Sequence, residues 1–110
     1  MRTHYCNGIH EGLIGQTVIL CGWAQRRRDH GGVIFIDLRD REGLVQIVAD
    51  PDQVDAFAAA NECRSEFVLQ VEGVLRARPA GTENPHMPSG KVELAAARIR
   101  ILNRSEPVPF

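Results

Sequence analysis

The chain has 110 residues, of which 44% are hydrophobic and 25% charged. That length suits one compact domain and not two, and the composition argues against disorder. A formal net charge of −1 excludes a blanket polyanion binder, and no apolar run nears the ~20 residues of a membrane helix.

The opening Met1-Arg2-Thr3-His4-Tyr5 has no apolar region behind it, which predicts a cytoplasmic rather than a secreted protein. Residues 1–15 carry Gly8, Gly12 and Gly15 with little periodicity, and read as an arm with at most a short helix. Residues 17–28 are β-branched and aromatic and predict a long first strand. Gly22 sits within it, where a glycine marks a bulge or tight bend. Asp29-His30-Gly31-Gly32 is a turn signal. Residues 33–39 form a second strand, Arg41-Glu42-Gly43 a turn, and residues 44–49 a third strand.

Asp50-Pro51 reads as a helix start, with Asp50 as cap and Pro51 at the first helical position. The helix is expected to reach about Cys63 and to bury a stripe of Val54, Phe57 and Ala58. In residues 67–78, Phe67, Leu69, Val71 and Leu75 alternate with Gln70, Glu72 and Arg76, a fourth strand. Residues 79–90 are a long loop rich in Pro and Gly. Residues 91–103 form a fifth strand whose apolar parity changes from Val92 and Leu94 to Ile99 and Ile101. That change predicts a bulge near Ala95-Ala96-Ala97. The expected organisation is an arm over 1–15, one domain over 16–104, and the start of a linker over 105–110. The order β-β-β-α-β-β predicts an all-β, five-stranded Greek-key barrel of the OB-fold type, with one helix between strands three and four.

The cysteines are Cys6, Cys21 and Cys63, an odd number without C-x-x-C spacing, which predicts reduced thiols and no zinc site. Lys91 is the only lysine, so the positive charge is almost wholly arginine. The guanidinium fork suits phosphates, base edges and base faces. In the second strand Ile34, Ile36 and Leu38 take one face, leaving Val33, Phe35, Asp37 and Arg39 on the other. An outward Phe35 is either a platform for an unstacked base or a side chain packed under a loop. Gln46 shares that face and offers donor and acceptor to a base edge, or lies idle in solvent. Arg26 and Arg28 share one face and Arg27 takes the other. Beside Phe35 and Gln46 they form a cationic rim suited to single-stranded nucleic acid. Glu93 either accepts from a guanine edge or pairs in solvent with Lys91. Asp40, Arg41 and Glu42 read as structural turn residues. Phosphate-binding, nucleophile-elbow and metal-spacing motifs are lacking. Leu38-Arg39-Asp40-Arg41-Glu42 is too short, and on too tight a turn, to count as a class II synthetase motif.

Several strings together carry a resemblance. They are Leu20-Cys21-Gly22-Trp23-Ala24-Gln25-Arg26-Arg27-Arg28-Asp29, Ile34-Phe35-Ile36-Asp37-Leu38-Arg39-Asp40-Arg41-Glu42-Gly43, Arg64-Ser65-Glu66-Phe67 and Ser89-Gly90-Lys91-Val92-Glu93. The chain resembles the N-terminal anticodon-binding domain of bacterial-type aspartyl-tRNA synthetases over essentially its whole length. The resemblance implies a fragment with no catalytic residues and no cofactor of its own. The parent would be a homodimeric aspartate–tRNA ligase using ATP and Mg²⁺, and the fragment a monomer. It implies that Phe35 stacks on the central anticodon base, that Gln46 and Arg28 contact that base, and that Glu93 reads the first. Arg26 would lie on the rim, and Arg78 and Asn84 near the third base. His30 and Gly81 are similar to the non-discriminating kind, which also charges the asparagine tRNA. The competing reading is a general single-stranded nucleic-acid-binding OB protein.

Overall fold

The structure, a computed structural model, describes residues 2–79, 81–82 and 90–103. Five strands close into one barrel: β1 (Thr17–His30), β2 (Val33–Asp40), β3 (Gly43–Ala49), β4 (Val68–Ala77) and β5 (Val92–Asn103). A single helix, α1 (Val54–Glu62), lies between β3 and β4. The strands run around the barrel as β1-β2-β3-β5-β4. Every neighbouring pair is antiparallel except β3 and β5, which meet in a short parallel junction at Ile47–Leu94 and Val48–Ala95. This is the OB-fold barrel expected from the element order.

The length of β1 has a purpose. Its first half pairs with β4 and its second with β2, and Trp23 is the hinge with a partner in each. The irregularity falls between Ala24 and Arg26 and not at Gly22. Gly22 instead permits close approach, because a Cβ there would run into the Arg39 carbonyl. At the far end, Gly31 and Gly32 have φ of 62° and 80°. Two consecutive positive φ values make the tight hairpin whose twist matches the flanking strands. The predicted bulge in β5 is present: Glu72 pairs with Arg98 and Gly73 with Ala96, so Ala97 is the extra residue.

Two details of the helix differ from the expectation. Asp50 and Pro51 precede it in a turn of their own, with the Asp50 carboxylate accepting from Asp52 N–H at 3.1 Å and its carbonyl from Gln53 N–H at 2.9 Å. The helix starts at Val54, which is 72% exposed. Its buried residues are Ala56 and Ala60, continued by Cys63, with Phe57 partly buried beside them. Small side chains win these positions because they let the helix backbone seat closely against β5, β2 and β3. The buried stripe therefore runs through Ala56, Ala60 and Cys63, and Val54 and Ala58 face solvent.

The barrel core is Val18, Leu20, Ile34, Ile36, Leu38, Val45, Ile47, Leu69, Val71, Leu75, Val92 and Leu94, alternate residues of all five strands. The arm belongs to it too. Single 3-10 turns at Cys6–Gly8 and Glu11–Leu13 carry Cys6 and Ile9 into the core, and Thr3 exchanges hydrogen bonds with the Ile19 backbone at 2.8 Å. No disulfide joins Cys6, Cys21 and Cys63. No helix among the described residues is long and apolar enough to cross a membrane.

Candidate nucleic-acid interface

Strand register brings the polar candidates to one outer face. Arg28 pairs with Phe35 between β1 and β2, Asp37 with Gln46 between β2 and β3, and Arg76 with Glu93 between β4 and β5. Directly opposed residues put their side chains on the same side of the sheet. Closure of β3 against β5 then joins the two groups.

The result is a chain of hydrogen bonds with one member from each strand. Asp37 Oδ1 accepts from Arg28 Nη2 at 2.9 Å. The same Nη2 donates to Gln46 Oε1 at 2.9 Å. Gln46 Nε2 donates to Glu93 Oε1 at 3.0 Å, and Arg76 Nε donates to Glu93 Oε2 at 2.8 Å. Gln46 and Glu93 are 5% and 3% exposed, so the middle of this chain is buried. Burying a carboxylate is costly unless it is paired; here Arg76 supplies the charge and Gln46 the second donor. The Arg28 guanidinium carbon stands 5.6 Å from the centre of the Phe35 ring, within cation–π reach. Arg28 Nε is buried without an acceptor among the described residues.

Above this chain lies a cleft of about 350 Å³ lined by Arg28, Asp29, His30, Phe35, Gln46, Arg78 and Thr82. Phe35 is half-buried, with neither the full burial of a core residue nor free exposure. Arg78 forms one wall and is itself buried. Its Nε donates to the Val92 carbonyl at 3.1 Å and its Nη1 to the Thr82 carbonyl at 3.3 Å. Desolvation pulls its guanidinium below the usual arginine range, although Glu93 and Asp37 nearby oppose that.

Arg27 faces away from this site, as its parity predicts, and has structural work. Its Nε and Nη2 grip both oxygens of Asp29 at 2.8 Å, and its Nη1 reaches the carbonyls of Asn61 and Cys63 at the end of α1. The two-point hydrogen bonding holds the Asp29 carboxyl below its ordinary value and raises Arg27. A cation at the C-terminal end of a helix also meets the negative end of its dipole.

Of the residues singled out in the sequence, Arg28, Phe35, Gln46, Arg78 and His30 meet at the cleft, and Glu93 lies beneath Gln46. The solvent pairing of Glu93 with Lys91 is not formed; Lys91 approaches Glu11 at 3.8 Å instead. Gln46 is buried and bonded, so the idle reading of it fails. Arg26 is exposed and pairs with Asp37 in the strand register, outside the cleft lining. Gly81 occupies the turn after β4 with φ of 87° and also lies outside that lining. Asn84, with most of the loop over residues 79–90, falls outside the described residues. Sequence reasoning missed two members of the hydrogen-bonded chain, Asp37 and Arg76. Both had outward parity, and only the register of the closed barrel shows what they meet.

The matching family model is that of the tRNA anticodon OB-fold nucleic acid binding domain, over residues 18–102. The chain belongs to this family. Among solved structures it is similar to asparaginyl-tRNA synthetase from Pyrococcus horikoshii, with 27% identity and a TM-score of 0.78 over 96% of this chain and 23% of that one. It is also similar to OBody AM3L15 bound to hen egg-white lysozyme, with 26% identity and a TM-score of 0.82 over 99% of this chain and 96% of that one. Aspartyl tRNA synthetase from Entamoeba histolytica matches at 17% identity with a TM-score of 0.75, over 90% of this chain and 21% of that one. At that identity the likeness is one of fold. The chain thus spans about a quarter of the synthetases it resembles.

Proposed function

We propose that this domain recognises a tRNA anticodon as the N-terminal part of an aspartate–tRNA ligase, and that the asparagine tRNA is a partner as well. The observation that carries the reading is the juxtaposition of Phe35 with the Arg28–Gln46–Glu93 chain at one cleft. A ring face beside paired donors and acceptors is what an unstacked base requires. On this reading the central base stacks on Phe35, and its edge meets Gln46 and the unpaired Nε–H of Arg28. Glu93 accepts from the first base; each of its oxygens keeps a second lone pair beside its present bond. Arg78 and Asn84 serve the third base, with His30 and Gly81 setting tolerance there, and Arg26 lies on the phosphate path. The fragment supplies recognition only. Aspartate activation with ATP and Mg²⁺ belongs to the rest of a cytoplasmic, homodimeric parent, and the fragment is a monomer without catalytic residues.

Fluorescence anisotropy with labelled anticodon stem-loops tests the proposal. Aspartate and asparagine stem-loops are expected to bind with dissociation constants within about tenfold of each other, and well ahead of stem-loops with other central bases. Equal affinity for an unstructured oligonucleotide of the same length would favour a general single-strand binder. Aspartate-dependent ATP–pyrophosphate exchange by the fragment would contradict the division of labour.

A further inference from the structure

Resting on the anticodon reading above, we infer that Asp37 and Arg76 are positioning residues that pin the Gln46 amide one way round, and so decide which pyrimidine the site accepts.

A glutamine amide has an acceptor at one end and a donor at the other, and turning it over exchanges them. In most places the two orientations compete. Here they cannot, because arginine only donates and an ionised carboxylate only accepts. Arg28 Nη2 faces Oε1 at 2.9 Å and Glu93 Oε1 faces Nε2 at 3.0 Å. Reversing the amide would set donor against donor at one end and acceptor against acceptor at the other. Those two neighbours are themselves held from outside. The Asp37 carboxylate draws Arg28 Nη2 into place at 2.9 Å, and Arg76 Nε holds Glu93 Oε2 at 2.8 Å, which turns Oε1 toward Gln46. Neither Asp37 nor Arg76 bonds to Gln46, so each acts through another side chain.

The consequence concerns base choice. After its two bonds the Gln46 amide keeps one hydrogen and one lone pair to offer. Uracil presents a carbonyl acceptor beside an imino donor. Cytosine presents an amino donor beside a ring-nitrogen acceptor, the same edge reversed. With the base held in one pose on Phe35, an amide free to turn serves both pyrimidines, whereas a pinned amide serves one. The orientation in which the amide hydrogen meets the carbonyl and its oxygen meets the imino group selects uracil.

The test compares stem-loops carrying U or C at the central anticodon position against the 110-residue chain, with Asp37→Asn, Arg76→Gln and Arg76→Lys. The wild type should prefer U by about tenfold or more, the usual discrimination of a two-bond base contact. Asp37→Asn and Arg76→Gln should bring the two affinities within about threefold, chiefly by strengthening binding to the C loop. Arg76→Lys, which keeps a donor and charge toward Glu93, should retain the preference. If both neutral variants bind the two loops more weakly but with the wild-type ratio, Asp37 and Arg76 only stabilise the barrel and the inference fails. A wild type that binds U and C loops alike would instead overturn the anticodon reading beneath it. Circular dichroism reports folding, and should Asp37→Asn not fold, the half-exposed Arg76 pair carries the comparison alone.

Discussion

Cys6 and Asp40 stand 34 residues apart in the chain and are joined by a 2.8 Å hydrogen bond from the Cys6 backbone N–H to Asp40 Oδ2. The other carboxylate oxygen accepts from the N–H groups of Glu42 and Gly43 at 2.7 and 2.9 Å. One buried side chain therefore closes the β2–β3 turn and ties the arm to it.

Asp40→Ala leaves three backbone donors without their acceptor. A buried donor so exposed costs roughly 1–3 kcal/mol, less where water can reach it. The expected loss is about 2–4 kcal/mol in urea unfolding, with Asp40→Asn losing less because it keeps one acceptor oxygen. A change below about 0.5 kcal/mol would mean that the arm and turn hold without this bond.

Burial pushes the Cys6 thiol up from 9.0 to about 12, and the neighbouring Asp40 charge adds to the effect. The folded form thus keeps a proton that the unfolded chain releases. This contribution is complete below pH 9 and is lost as the pH rises toward 12. Between pH 8 and pH 10.5 the wild type should lose roughly 2 kcal/mol more stability than Cys6→Ala, from about 1.4 kcal/mol per pH unit above 9. Denaturant titrations at the two pH values measure this, and parallel pH dependence in both proteins would remove Cys6 as the cause.

Phe35→Ala should weaken stem-loop binding by ~1–3 kcal/mol while unfolding stays cooperative. The ring is half-buried, and calorimetry together with binding separates a packing role from a binding role. A variant that melts far earlier, yet binds normally once folded, would place Phe35 in the packing and not at the RNA.

Salt dependence reports phosphate contacts. Each one neutralised on a single strand contributes about −0.7 to the slope of log K against log salt. On the anticodon reading, if Arg28 and Arg78 reach phosphates as well as bases beside Arg26, two to four contacts predict a slope of roughly −1.5 to −3. A flat response would show that these arginines, already bonded to protein groups in two of the three cases, do not meet the backbone.

His30 lines the cleft at the end of the β1–β2 hairpin. On the anticodon reading proposed above, an imidazole that donates from one nitrogen and accepts on the other satisfies C or U at the third base. His30→Leu removes both capacities and should widen the preference for the aspartate stem-loop beyond about tenfold, or 1.4 kcal/mol. An unchanged ratio would show that tolerance at the third base resides elsewhere.

What was legible from sequence is what depends on local periodicity. Alternation in residues 33–39 and 67–78 placed Ile34, Ile36, Leu38, Leu69 and Val71 inside and Phe35 outside, because a strand turns its side chains over at every residue. The parity change around Ala95-Ala96-Ala97 exposed the β5 bulge for the same reason. The Gly31-Gly32 pair announced its hairpin because left-handed backbone there excludes most side chains.

What tertiary structure alone decided is which outward residues become neighbours. Gln46 and Glu93 are 47 residues apart, and their bond exists because β5 crosses to lie beside β3. Parity tells that a side chain leaves the core; it does not tell whether the next strand then buries it. Glu93 is 3% exposed for that reason, although its sequence context suggested solvent. The same limit hid the roles of Asp37 and Arg76, whose partners Arg28 and Glu93 are supplied by other strands. Helix rotation was equally out of reach, since the barrel strands it packs against select Ala56 and Ala60 over Val54. Alternation is a property of one strand, whereas a buried polar network is a property of barrel closure.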